Sequence, residues 1–199
     1  MTAGLRGWAV WSLLGCWALA GVVGAQTLSG GAWAAQAAVL SWWSNPQAQG
    51  QARLRVWGFQ VYDARLWVSP GVDPNQLRTT PHALELDYLR AFKGADIANR
   101  SLQEMLRQGP LPTEQANTWL RQMTALFPDV VAGDEITGLY LPGEGLRFFW
   151  NGRPLGVLSD PVLAERFMGI WLSTATSEPA LRSALLAPFA AGGGAGGGR

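Results

Sequence analysis

Arg53 and Arg55 stand two residues apart in a stretch that alternates polar and apolar side chains. In an extended strand this spacing puts both guanidinium groups on one face. There they form either a clamp for a carboxylate or phenolate or a solvated face, the common setting for long charged side chains. Tyr62, and then Tyr88 with Arg90, offer a hydroxyl or a cation from further strand-like stretches. Each is either a group aimed at a ligand or a satisfied residue at the edge of a core. Glu104, in a helical stretch, is either an acid or base or an exposed carboxylate. His82 is the only histidine and Cys16 the only cysteine, so no set of transition-metal ligands is expected. A Ser-His-Asp triad would have to use His82, and no Gly-x-Ser-x-Gly elbow accompanies it. Asp129, Asp134 and Glu135 gather around Gly133 without the spacing of a calcium loop, which reads as turn chemistry. The Gly/Ala run from Ala190 to Arg199 has no strand before it and no helix after it, so it fails as a phosphate loop. No cofactor is expected.

The elements that must position these groups follow from periodicity. Arg53–Trp57 and Phe59–Val68 alternate with period two, and Gly58 between them reads as a bulge. Ser69-Pro70-Gly71 and Asp73-Pro74-Asn75 are turns, and His82–Arg90 is a third strand. Two helices follow. The first is capped by Asp96 and stopped at Gly109-Pro110. The second is capped by Thr113, with Ala116, Trp119, Leu120, Met123 and Phe127 as its packed stripe. Three strands return, Ile136–Leu141, Leu146–Trp150 and Arg153–Leu158, joined at Pro142–Gly145 and at Asn151-Gly152, a strong hairpin signal. Asp160-Pro161 caps a third helix with Leu163, Phe167 and Trp171 on its buried face. Ser177 caps a last helix through Leu186. Strands and helices come in blocks, so the expected class is α+β: an antiparallel sheet with helices on one face.

The ends read differently. Met1–Gly7 carries one positive charge, Trp8–Val23 is almost wholly apolar, and Val23-Gly24-Ala25 places small residues at a cleavage site. This is the order of a secretory signal, expected to be cut after Ala25, with Ala32-Trp33-Ala34 as a second site. The alternatives are an uncleaved anchor and a lipoprotein lipidated at Cys16. The expected divisions are a signal peptide over 1–25, an irregular segment over 26–50, a domain over 51–188 and a disordered Gly/Ala tail over 189–199. Trp42-Trp43 is expected to tuck against the domain. A chain cut after Ala25 has 14 basic and 14 acidic residues. That balance excludes a basic nucleic-acid surface, and membrane contact is expected only through the signal segment. Eight of 11 tryptophans lie beyond Ala25, suiting a tight core or a pocket for an apolar ligand. A mature chain without cysteine gains no disulfide in an oxidising periplasm, so its core must supply the stability.

Several segments resemble chalcone-isomerase-like proteins, above all their exported bacterial members. They are Val56-Trp57-Gly58-Phe59-Gln60-Val61-Tyr62-Asp63-Ala64-Arg65-Leu66-Trp67, then Gly133-Asp134-Glu135-Ile136 with Pro142-Gly143-Glu144-Gly145, then Gly169-Ile170-Trp171-Leu172-Ser173 with Leu181-Arg182 and Leu185-Leu186. The resemblance implies an open-faced β-sandwich, a large antiparallel sheet with a layer of helices and a cleft between them. In the plant isomerases that cleft holds a flavonoid, and in sister proteins a fatty acid. The plant ring closure uses an Arg on the first strand, a Thr on the next, and a Tyr and an Asn on the first helix. These positions fall on Arg53 or Arg55, near Trp57, near Ile97 and near Glu104. Only the cation is carried over, although the developing enolate needs hydrogen-bond donors. The expected ligand-binding set is therefore Arg53, Arg55, Trp57, Tyr62, Tyr88, Arg90, Ile97 and Glu104. The expected function is non-catalytic binding of a small apolar or fatty-acid-like ligand in an exported protein. An isomerase or intramolecular lyase is one alternative. An interaction protein whose cleft is plugged by Trp57 or Trp119 is the other.

Overall fold

Alternation of period two, interrupted once by two amphipathic helices, gives one six-stranded sheet in the order β1-β2-β3-β4-β5-β6. The computed structural model describes residues 42–192. The expected signal segment, the stretch up to 41 and residues 193–199 of the tail lie outside the described residues. The strands are β1 (Gln47–Val56), β2 (Phe59–Val68), β3 (His82–Tyr88), β4 (Glu135–Leu141), β5 (Gly145–Trp150) and β6 (Arg153–Leu158). Every neighbouring pair is antiparallel. Helices α1 (Gly94–Leu106) and α2 (Thr113–Leu126) connect β3 to β4, and α3 (Pro161–Leu172) and α4 (Pro179–Gly192) follow β6. Strand β1 starts within the stretch expected to be irregular, and α4 continues into the expected tail.

The pleat sorts the two faces. Ala64, Leu66 and Val68 of β2, Leu84, Leu86 and Tyr88 of β3, and Leu146 and Phe148 of β5 join one core with Met105, Trp119, Phe167 and Leu185 from the four helices. Side chains of intervening positions form a smaller apolar cluster of Trp43, Trp67, Ala83, Leu139 and Phe149 on the opposite face. Trp43 is buried there and donates from Nε1 to Ser69 Oγ at 2.9 Å. Trp42 lies over the Arg147 guanidinium, 4.3 Å from the ring centroid. The pair does tuck against the domain.

Three local expectations change. Trp57 and Gly58, with φ of 50° and 82°, form the two-residue turn of the β1–β2 hairpin. Both positions demand a left-handed backbone, so Gly58 is a turn residue and not a bulge. The bulge lies further on: Leu54 faces Tyr62 but Arg55 faces Gln60, which leaves Val61 as the extra residue of β2. The start of α1 is not capped by Asp96, which lies in its first turn. Instead Asp129, from the loop after α2, accepts from Gly94 N at 3.0 Å and from Lys93 Nζ at 2.6 Å. Thr113 is the first residue of α2, whose cap position is Pro112 without a side-chain bond. Asp160 caps α3 as expected, accepting from Val162 N at 2.9 Å and Leu163 N at 3.1 Å. A Cβ at Gly50 would overlap the Leu185 carbonyl, so glycine is what lets α4 lie directly on β1.

Candidate functional site

Between the sheet and the helices lies a cavity of about 530 Å³, inside the ~300–1,000 Å³ range of small-molecule sites. Leu84, Leu86 and Phe148 form its floor, and Ile97 of α1 with Phe167 and Trp171 of α3 its roof. Alternation on the strands and i, i+4 spacing on α3 deliver these side chains to one volume. Phe148 and Phe167 meet edge to face at 5.3 Å, and Phe167 meets Trp171 at 5.5 Å. The exposed wall residues mark the mouth: Val56, Trp57 and Phe59 from the β1–β2 hairpin, Arg90 after β3, and Asp96 and Arg100 on α1. The bulge at Val61 matters here, since it brings both Val61 and Tyr62 to the cavity.

Few polar groups face this space. Tyr62 Oη accepts from Trp171 Nε1 at 2.9 Å, and burial holds its hydroxyl well above the usual phenol range. Tyr88 stands edge-on to Tyr62 at 6.1 Å and is likewise raised by burial. Both are neutral donors or acceptors at any physiological pH. Glu104 is 8% exposed. Its Oε1 pairs with Arg100 at 2.6 Å, while Arg107 Nε stands 3.6 Å from Oε2, beyond hydrogen-bond reach. Arg90 differs. Its guanidinium lies 5.1 Å from the centroid of Phe59 and 6.0 Å from that of Phe92. It forms no ion pair among the described residues.

The expected set is therefore split. Trp57, Tyr62, Tyr88, Arg90, Ile97 and Glu104 all line the cavity. Arg53 and Arg55 do not. They share a face, as their spacing requires, but it is the face turned away from the helices. Arg53 makes a two-pronged pair with Asp63 at 2.6 and 2.7 Å and donates to Gln60 at 2.8 Å, while Arg55 is exposed. The cation expected from Arg53 or Arg55 thus stands outside the cavity, whose wall arginines among the described residues are Arg90 and Arg100. Neither tryptophan proposed as a plug closes the cavity. Trp57 is 94% exposed at the hairpin tip, and Trp119 is buried elsewhere, donating to Asp160 Oδ2 at 2.9 Å. Sequence reasoning missed Phe59, Val61 and Arg100 as wall residues. The i, i+3, i+4, i+7 spacing of Ile97, Arg100, Ser101 and Glu104 was the signal for the last.

The acidic residues do other work. Asp134 accepts from Val131 N and from Asn151 Nδ2, each at 2.8 Å, as turn chemistry requires. Glu135 joins Glu85 and Asp87 on the outer sheet face, where their carboxylate oxygens lie within 4.8 Å of one another. Glu85 is held by Arg65 and by Trp67 Nε1, and Glu135 accepts from Thr137. Burial, and then the Glu85 charge, push Glu135 up to about 8.

The profile of a family described as chalcone isomerase-like matches residues 48–187. An uncharacterized protein of Haemophilus influenzae is 29% identical over 131 residues, 65% of this chain and 63% of that relative, so the alignment spans less than two thirds of the relative's length. The crystal structure of an Arabidopsis thaliana fatty-acid binding protein superposes with a TM-score of 0.58 at 12% identity, covering 75% of this chain and 90% of that one. The last likeness is one of fold.

Proposed function

The chain belongs to the chalcone isomerase-like family, and from that premise we propose that it is a non-catalytic binding protein. It holds one small amphiphile, of the long-chain carboxylate class, between sheet and helices. The cavity carries the reading: an apolar chamber of about 530 Å³ whose mouth bears a cation without an acidic partner. An apolar tail lies against Leu84, Leu86 and Phe148, and its carboxylate meets Arg90, because a buried or half-buried anion needs a paired donor. The fatty-acid binding named for the Arabidopsis neighbour supports this ligand class. Ring closure is poorly supported. Arg53 and Arg55 face away from the cavity, and Ile97 has no hydrogen to donate where a developing enolate would need one.

We further propose that the protein acts in the periplasm, after export and cleavage behind Ala25, or failing that near Ala35. N-terminal sequencing of the exported protein checks this, and recovery of Met1 in the membrane fraction overturns it. The binding reading is tested by titrating a fluorescent long-chain fatty acid into the full chain. Saturable one-to-one binding, competed by unlabelled fatty acid, is the expected result. Absence of saturable binding overturns it.

A further inference from the structure

The two most exposed large apolar side chains among the described residues, Trp57 and Phe59, stand at one point with Val56 beside them. Trp57 is 94% exposed, Phe59 62% and Val56 38%, and all three sit on the tip of the β1–β2 hairpin beside the cavity mouth. The conformation is costly as well as exposed. Trp57 has φ of 50°, a left-handed backbone that a bulky residue seldom adopts and that Asn or Gly would occupy freely in this turn. Neither the core nor the turn asks for tryptophan here. Two arginines flank the tip, Arg55 on the outer face and Arg90 stacked on Phe59. Neither forms an ion pair among the described residues.

We propose that this tip is a membrane-docking element: Trp57, Phe59 and Val56 enter the headgroup region of an anionic lipid surface, with Arg55 and Arg90 at the phosphate level. Tryptophan has the apolar body and polar edge suited to that layer, and binding there combines inserted apolar area with attraction to anionic lipid. Area argues against a protein partner. Two aromatic side chains of ~150–250 Å² each fall far short of the ~800 Å² per partner of a stable interface, whereas a lipid leaflet accepts a small wedge. Asp96, the exposed acid of the wall, belongs to α1 and not to the hairpin. Docked this way, the cavity opens onto the leaflet, and a single-tailed amphiphile passes between them without crossing water. The docking itself does not require the cavity to be occupied. It is a contact of the folded domain, separate from the expected signal segment.

Trp57→Asn provides a variant that folds, since Asn-Gly is favoured in this turn. Full-length protein is mixed with vesicles of phosphatidylglycerol and phosphatidylcholine whose acyl chains carry bromine near the headgroup, and tryptophan emission is followed. Expected is a quenched component that is present in the wild type, absent in Trp57→Asn, and weakened by salt and by Arg55→Gln with Arg90→Gln. Partition to anionic vesicles falls about tenfold in Trp57→Asn, the loss of one part-buried aromatic side chain. A wild-type chain that associates while its Trp57 component stays unquenched is held by another segment, and the proposal fails. Self-association without lipid that Trp57→Asn abolishes overturns it in favour of a second copy. An Ile97→Trp variant separates the two readings, because filling the cavity removes fatty-acid binding and leaves docking intact.

Discussion

Which way a single side chain faces decides most of the chemistry at this site. Arg53 and Arg90 are both strand-associated arginines, yet Arg53 is engaged by Asp63 on the outer face and Arg90 waits at the cavity mouth. Arg90→Ala is expected to weaken binding of a long-chain carboxylate by about 10–100-fold, the loss of one charge-assisted bond, while Arg53→Ala leaves affinity unchanged. Calorimetric titration of the two variants checks this, and the reverse order would return the anion to the outer face. The shared face of Arg53 and Arg55 was legible from their spacing. Which face turned inward was not, because moving by one residue along a strand exchanges the two sides and only the packing of helices settles the choice. Glu135 makes a separate prediction. Its folded carboxyl keeps a proton up to about pH 8, against an ordinary value of 4.5. The folded state therefore binds more protons than the unfolded state across that window, and stability falls as pH rises. His82, buried and lowered to about 4 from 6.5, acts oppositely: its contribution is present above pH 6.5 and is lost as pH falls toward 4. Between pH 6.5 and 8 only the Glu135 slope remains of these two, worth at most about 2 kcal/mol. Glu135→Gln should flatten that decline in urea unfolding and make the protein more stable than wild type at pH 8. An unchanged slope would show that Arg65 already neutralises the cluster.

The elements themselves were largely written in the periodicity. The six strands, the helix pair between β3 and β4, the Asn151-Gly152 turn and the Asp160 cap all follow from local rules. The misreadings are local too, and one has a tertiary cause. Asp96 lost the α1 cap to Asp129, thirty-five residues from the Gly94 amide it receives, which no local motif reveals. Gly58 suggested a bulge because Trp57 is a poor left-handed residue, so a Trp-Gly turn is not a hairpin signature. The chain accepts this conformation at a cost of roughly 1 kcal/mol. Trp57→Asn should accordingly raise unfolding stability by about that amount, because the side chain it removes packs on little of the fold. Measured in denaturant, a loss of stability instead would mean that Trp57 supports the hairpin by contacts with its neighbours.

At the scale of the described domain, the expected layers are present, and the unpaired cavity arginine stands at the mouth, not on β1. The order of blocks and the resemblance made the architecture legible. The cavity was not, because its volume is set by how far α1 and α3 stand from the sheet, a sum of side-chain sizes across several elements. With no cation on the cavity side of β1 and no donor at Ile97, full-length protein should give no hydroxychalcone cyclisation above background, since loss of even one oxyanion donor costs ~10²–10³ in rate. Turnover abolished by Arg90→Ala would show that the mouth arginine serves catalysis after all. The same cavity should couple ligand to stability. A chamber of about 530 Å³ forgoes dispersion contacts that a tail would restore, and an amphiphile bound only by the folded state stabilises it by ~2.7 kcal/mol at a hundred times its Kd. For a domain of this size that raises Tm by roughly 5–10 °C. Ile97→Trp places an indole into the space from the half-buried face of α1. Without ligand it should melt within a few degrees of the wild type, the added contacts offsetting any crowding. With saturating fatty acid its Tm should not move. Equal ligand-induced shifts in both proteins would place the fatty acid outside this cavity.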